Sequence, residues 1–462
     1  MATFYIEQFG CRATQADGAA IERQLSERGC GRAQSAESAD IVVFNTCTVT
    51  AAADAQAREA IRKLHAANPN TQIVVTGCYA QRAPEELAAL PGVLHVVGNS
   101  HKPQIPDLLA GMSRGPSNNF VATEKLLAPI LTGDIFAQQD VLVAPVLGGE
   151  RNHTRPTLKI QDGCNNRCAF CVIPFVRGKS RSLPPQTVIE EINKLACSGY
   201  KEIVLSGINL GAWGRDLSPR HGFLDLLRQI LDETSVERLR LSSIEPLDVT
   251  RDLILLFAST PRLAEHFHMP LQSGSDRILA RMHRWYRTEH YARRVELICE
   301  HVPHAAIGAD VITGFPGETE EDHAATMNFI ARRPFTYLHV FSYSSRPGTR
   351  AESLPNHVAP KIIKQRAREL RALGETKSAS FHRSQAGRTL SVLTLHHPDR
   401  VSASSASGIP DSTDWTPALS CNYLKLRISG NWLPNRFMDV VCSADQQTLA
   451  TPELQPAEPI LL

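Results

Sequence analysis

Between residues 151 and 380 the chain passes from a strand-like to a helix-like segment again and again, and no other feature limits its fold so strongly. Short apolar runs at 157–161, 202–206, 238–243, 266–271, 307–313 and 337–341 read as strands. The stretches between them, at 188–196, 223–232, 250–258, 289–301 and 318–332, read as helices. The first shows apolar residues at helical spacing, at Val188, Ile192, Leu195 and Ala196. Strands separated by crossover helices pair in parallel. Six such units predict a partial (β/α)6 barrel, whose chemistry belongs on the loops after the strands.

The flanks read differently. Residues 1–110 alternate strands at 4–9, 41–45, 73–77 and 93–97 with helices at 18–28, 51–67 and 84–90. That pattern predicts an open parallel α/β sheet, whose ligands sit beyond the carboxyl ends of its strands. Cys11, Cys47 and Cys78 fall at those ends. Beyond residue 380 helical signals fade. Strands at 389–395 and 424–429 and a Ser-, Ala-, Thr- and Pro-rich loop at 401–417 predict a small β barrel. The expected organisation is an N-terminal domain at 1–112, a linker at 113–149, a core at 150–380, a β domain at 381–450 and a tail at 451–462.

Composition sets limits. Of 462 residues, 42% are hydrophobic and 21% charged, which excludes a mainly disordered chain. No apolar run reaches the length of a membrane span. The opening residues lack the features of an export signal, so a cytoplasmic location is expected. The net charge of +2 neither demands nor excludes nucleic acid. Eleven cysteines in such a chain argue against a disulfide framework and for metal or redox chemistry.

The sharpest motif is Cys164-Asn-Asn-Arg-Cys168-Ala-Phe-Cys171, directly after the first barrel strand. Thiolates are the natural ligands of iron–sulfur clusters, and three of them leave one iron of a [4Fe–4S] cluster open. Structural zinc needs four ligands, and no fourth Cys or His lies close in sequence. Other candidates follow later strands: Gly207, Asn209 and Gly211, then Glu245, Gln272 and Asp310. Alone, the glycine-rich stretch reads first as a plain turn, and Glu245 reads equally as a solvated loop carboxylate. All fall where the barrel rule places ligand contacts.

Cys-x3-Cys-x2-Cys resembles the signature of radical S-adenosylmethionine enzymes. Phe9-Gly-Cys11, Asn45-Thr-Cys47 and Thr76-Gly-Cys78 extend the likeness, and the whole chain resembles the methylthiotransferase family of those enzymes. The resemblance implies a radical core and a C-terminal TRAM-like β domain. It implies a [4Fe–4S] cluster with S-adenosyl-L-methionine at Cys164, Cys168 and Cys171, and a second, auxiliary [4Fe–4S] cluster at Cys11, Cys47 and Cys78. Gly207, Asn209, Gly211, Glu245, Gln272 and Asp310 become candidate contacts of S-adenosylmethionine or substrate.

Asn45-Thr-Cys-Thr-Val-Thr50 and Leu241-Ser-Ser-Ile-Glu-Pro246 resemble the branch acting on threonylcarbamoyladenosine in tRNA. Thr14, Cys421 and the segment after Leu393 depart from that branch's usual residues. The implied reaction replaces the hydrogen on carbon 2 of the adenine with a methylthio group. The auxiliary cluster carries or donates the sulfur, one S-adenosylmethionine methylates it, and a second yields the adenosyl radical. The implied partners are tRNA and an electron donor such as flavodoxin or ferredoxin, with no membrane and a monomeric enzyme. Sister branches acting on isopentenyladenosine in tRNA or on a ribosomal aspartate remain open, as does a non-catalytic iron–sulfur RNA-binding protein.

Two stretches offer charge for RNA. Residues 151–183 hold seven Lys/Arg against Asp162, and 361–383 hold seven against two Glu. The second reads equally as a solvated helix face. Tyr423 or Trp432 in the β domain is placed to stack on a base or to fill the core. Cys30, Cys197, Cys299, Cys421 and Cys442 are expected to be buried thiols. No zinc-spaced histidine pair stands out.

Overall fold

The computed structural model describes residues 2–110, 127–138, 141–142, 145–146, 154–396, 415–444 and 451–452. Most of the expected linker and tail, and most of the 401–417 loop, lie outside them.

The N-terminal sheet has six strands, all parallel. In spatial order they are Gly31–Arg32, Thr3–Gln8, Ile41–Thr46, Gln72–Gly77, Val93–Gly98 and Ile130–Leu131. The central strand Ile41–Thr46 is buried along its whole length, as a sheet covered on both faces requires. Helices Arg12–Glu27 and Ala51–Ala67 cover it. The first helix starts six residues before the 18–28 expectation. Gly18, a weak helix former, lies inside it, because a Cβ there would meet the Gln8 amide at 1.7 Å.

The barrel strands form two parallel sets. Thr157–Asp162, Glu202–Gly207 and Arg238–Leu241 make one, and His266–His268, Ala306–Thr313 and Tyr337–Ser342 the other. Parallel bridges at Leu239–Leu263 and Ser243–His268 join them into the expected partial barrel. Its core is one continuous apolar cluster running from Leu158 to Leu370. The fourth strand, expected over 266–271, ends at His268, ahead of Pro270, which has no N–H for a ladder bond.

The helix Pro360–Ser384 follows the last barrel strand and packs on it. Then comes an antiparallel sheet in the order Lys425–Ser429, Trp415–Ser420, Thr389–Thr394, Phe437–Val441 and Thr451–Pro452. The strand Trp415–Ser420 takes up the end of the segment expected as loop. A buried carboxylate holds this sheet to the barrel. Glu202 pairs with Arg240 (2.7 Å), Arg155 (3.2 Å) and Arg238 (3.5 Å). Arg240 also donates to the carbonyls of Ser420 and Cys421. No helix among the described residues is long and apolar enough to cross a membrane.

Candidate active site

Glycines explain the spacing of the N-terminal cysteine motifs. Gly10 sits at φ +104°, and a Cβ there would lie 2.4 Å from that of Cys47. Gly77 sits at φ +102°, with the backbone of Thr46 2.2 Å from where its Cβ would be. Both positions need a residue free of a side chain in the left-handed region. They bring Cys11 and Cys78 up against the strand end that carries Cys47, across 35 and 30 intervening residues. Burial, then the charges of Cys78 and Cys11, push the Cys47 thiol up to about 12. Cys11 Sγ lies 3.6 Å from Thr14 Oγ1, and Asn99 Nδ2 donates to Cys78 Sγ at 3.6 Å.

The second triad lies on the loop after Thr157–Asp162. Cys164 N–H donates to the Gly178 carbonyl and Cys171 N–H to that of Cys168, both at 3.1 Å. Ala169 between them is clamped by backbone bonds to Met282 and Ala351. Burial, then the Cys168 charge, pushes the Cys171 thiol up to about 12. Bare thiols so placed stay protonated, whereas a bound cation offsets both the burial and the mutual repulsion. Two sets of three convergent soft donors therefore fit iron–sulfur ligation.

The two triads meet. Cys78 packs with Val172, Ile173 and Val176, just beyond Cys171. Cys11, Cys164, Cys168 and Cys171 line one cavity of about 600 Å³, a volume typical of small-molecule sites. Gly207, Asn209, Glu245, Gln272 and Asp310 line it too. Gly211 is absent from that lining and packs against the Asp248 side chain instead.

Each remaining candidate has a defined setting. Glu245 pairs with Arg284, which also donates to Cys168 Sγ at 3.2 Å. Burial raises the Glu245 carboxyl above its usual range, and Arg284 opposes that rise. Gln272 holds φ +62°, a strained value for a residue with a side chain, and is pinned by backbone bonds to Asp310 and Ile312. Asn209 Oδ1, Ser242 Oγ and Gln272 Oε1 are buried without partners. Such orphaned atoms on one cavity fit a polar ligand there. Asp310 Oδ1 accepts from His268 Nε2 (2.9 Å) and His339 Nδ1 (3.2 Å). Burial alone would raise this carboxyl, yet the two histidines hold it well below the usual range.

Several lining residues escaped sequence reasoning. Arg12, Arg284, His266, His268, Tyr337 and His339 carry no spacing signal. His268, Asp310 and His339 have donor atoms within 4.8 Å of one another although the histidines stand 71 positions apart in the chain. Tyr337 Oη bridges His268 Nδ1 (2.8 Å) and His266 Nε2 (2.7 Å). Tyr423 stacks on His266, with ring centroids 4.1 Å apart, so the β domain closes one wall. Trp432 is exposed.

Two expectations need correction. Lys159, Arg177 and Arg181 of the first basic stretch are buried, and Lys159 and Arg177 pair with Asp17 and Asp162. They join the N-terminal domain to the barrel, and Arg167 and Lys179 remain exposed. Cys197 is exposed, and Cys30, Cys299 and Cys421 are only partly covered, which leaves Cys442 as the fully buried thiol of that group.

Residues 158–330 match the Radical SAM superfamily, and residues 3–98 match an uncharacterized protein family, UPF0004. The fold and the thiol-lined cavity thus define a radical S-adenosylmethionine enzyme. A threonylcarbamoyladenosine tRNA methylthiotransferase of Aquifex aeolicus is 38% identical over 84% of this chain and 92% of its own. One from Bacillus subtilis is 37% identical over 85% of each. A tRNA-2-methylthio-N6-dimethylallyladenosine synthase of Acidothermus cellulolyticus is 34% identical over 87% of this chain and 79% of its own. The chain belongs to the radical S-adenosylmethionine methylthiotransferase family. Among solved structures, a radical S-adenosylmethionine methyltransferase from Kitasatospora setae shares the fold, with a TM-score of 0.57, 16% identity and coverage of 76% and 77%.

Proposed function

We propose that the chain methylthiolates carbon 2 of N6-threonylcarbamoyladenosine next to the anticodon of tRNA. In this reading Cys164, Cys168 and Cys171 hold one [4Fe–4S] cluster, and Cys11, Cys47 and Cys78 hold a second. The observation that carries it is the single cavity lined by Cys11 together with the Cys164, Cys168 and Cys171 triad. A radical generator and a sulfur-delivering site must both reach one substrate carbon, and a shared cavity permits that.

Cys164, Cys168 and Cys171 would hold a [4Fe–4S] cluster that binds S-adenosylmethionine and would supply the electron that cleaves its carbon–sulfur bond to methionine and an adenosyl radical. The protein's part is to position and to enclose. Asn209, Ser242 and Gln272 offer unmatched polar atoms to S-adenosylmethionine, and Gly207 leaves room beside them. Arg284 neutralises Glu245 and donates to Cys168. Tyr423 and His266 present stacked rings for an adenine. On the helix Pro360–Ser384, Lys361, Lys364, Arg368, Arg371 and Arg383 are exposed and suit phosphate contacts. The reading includes a flavodoxin- or ferredoxin-like electron donor, a monomeric enzyme and a cytoplasmic setting.

The choice of threonylcarbamoyladenosine is supported by the names of the two relatives at 37–38% identity. The test is a mass-spectrometric nucleoside profile of tRNA from cells with and without this chain. Appearance of 2-methylthio-threonylcarbamoyladenosine is the expected result. A methylthio mark on dimethylallyladenosine instead would keep the chemistry and overturn the substrate.

A further inference from the structure

We infer that Arg12 is a specificity-determining residue of this cavity: its guanidinium takes a carboxylate carried by the N6 substituent of the target adenosine. The inference rests on the reading that the substrate is threonylcarbamoyladenosine. It names the side chain that recognises the one ionised group such a substituent has and a dimethylallyl group lacks.

The argument starts from the charges around the cavity. Glu245 and Arg284 answer each other. Asp310 is answered by His268 and His339. Arg12 lines the same cavity and makes no ion pair or hydrogen bond with a described residue. It is half-buried, and its charge acts on His266 and Tyr337. Those two residues mark the polar end of the cavity.

The other groups at this end that could carry positive charge already have an anionic partner: Arg240 has Glu202, and His268 and His339 have Asp310. An ionised Asp310 can only accept, so His268 Nε2 carries a proton and donates to it. Tyr337 Oη lies between His268 Nδ1 (2.8 Å) and His266 Nε2 (2.7 Å). Burial, then the nearby Arg240 charge, keeps the His266 ring neutral. An entering anion therefore finds one unanswered guanidinium, a group whose planar fork matches a carboxylate.

Placement completes the case. Carbon 2 and carbon 6 of adenine both flank N1, so the N6 substituent arrives beside the carbon that receives sulfur. Arg12 is the residue next to Cys11, the thiol of the N-terminal triad that lines the cavity. A substrate presenting carbon 2 to the Cys11 wall brings its N6 substituent to Arg12. An apolar substituent there would leave the guanidinium partly desolvated and unpaired, which disfavours it.

The test uses full-length protein with both clusters reconstituted, and measures equilibrium binding of anticodon stem-loop RNAs. One RNA carries threonylcarbamoyladenosine, the second its threonyl carboxamide, and the third dimethylallyladenosine. Wild type should bind the carboxylate RNA about 10–100-fold more tightly than the carboxamide. Arg12→Gln should erase that ratio, and Arg12→Lys should recover part of it. Equal wild-type affinity for carboxylate and carboxamide overturns the inference even should the variants misfold. A ratio preserved in Arg12→Gln overturns the role of Arg12 and leaves the substrate reading intact. Wild-type preference for dimethylallyladenosine overturns the substrate reading, and this inference with it.

Discussion

Arg284 Nη1 donates to Cys168 Sγ across 3.2 Å while the other end of the same guanidinium pairs with Glu245. One buried cation thus ties the central cysteine of the barrel triad to a carboxylate on the next wall. Its removal leaves Glu245 in a largely buried site with no counter-charge, where burial already raises its carboxyl. Arg284→Met should lower 5′-deoxyadenosine formation by about tenfold or more, in line with outer contacts of metal ligands. Single-turnover assays with matched iron content measure this, and an unchanged rate would remove Arg284 from the site.

The two triads should separate cleanly by mutation. Cys168→Ala is expected to abolish 5′-deoxyadenosine formation. Cys47→Ala should lose about half of the bound iron, keep cleavage of S-adenosylmethionine, and yield no methylthio product. Iron analysis beside product chromatography decides it. Cleavage surviving in Cys168→Ala would show that the radical site is misassigned.

The joint between the N-terminal domain and the barrel is ionic and dry. Asp17 pairs with Lys102 (2.8 Å), Arg177 (3.0 Å) and Lys159, and Asp162 pairs with Lys159 and Arg177. Asp17→Asn strands buried cations and should cost about 3–5 kcal/mol. Denaturant unfolding measures this loss, and a cost under about 1 kcal/mol would mean the network is dispensable.

The same network predicts an acid limit. Asp17 and Asp162 are held below the usual carboxylate range despite burial, by Lys102, Lys159 and Arg177. A depressed folded value contributes stability that is complete above the unfolded value, near 3.8, and is lost as pH falls toward the folded value. Stability should therefore drop below about pH 4, less steeply in Asp17→Asn. Parallel slopes for the two proteins in acid titrations followed by circular dichroism would contradict this.

Gly77→Ala should damage the N-terminal triad specifically. The new Cβ meets the Thr46 backbone, and the left-handed φ alone costs about 1–2 kcal/mol. The expected outcome is a lower unfolding midpoint with loss of the iron assigned to Cys11, Cys47 and Cys78. Wild-type iron content would show that the loop tolerates the shift.

Much of the fold was legible because short-range patterns encode it. The strands Thr157–Asp162 and Glu202–Gly207 each extend one residue beyond the apolar runs that predict them, and Ala51–Ala67 matches its predicted span. The helix Arg12–Glu27 starts six residues before the predicted 18–28, and it runs through Gly18, whose packing against Gln8 no local pattern shows. The basic stretch 361–383 read equally as an RNA contact or a solvated helix face; it lies in the helix Pro360–Ser384, whose buried face carries Arg366, paired with Glu318, as well as Leu370. Basic residues at 151–183 counted as surface charge, although Lys159 and Arg177 belong to an internal network. Counting charges does not reveal which of them find partners far away in the chain.

The sequence by itself determined the Cys164, Cys168 and Cys171 triad, whose eight-residue span needs no distant contact, and the order of strands and helices. Tertiary structure decided the rest of the site. Sheet order gathers Cys11, Cys47 and Cys78, and packing of three domains sets Arg12, His266 and Tyr423 around one cavity. The physical reason is range. Periodicity and local spacing act over a few residues, whereas the meeting of distant side chains depends on which strands pair, where buried charges find partners, and how closely a glycine lets two loops approach.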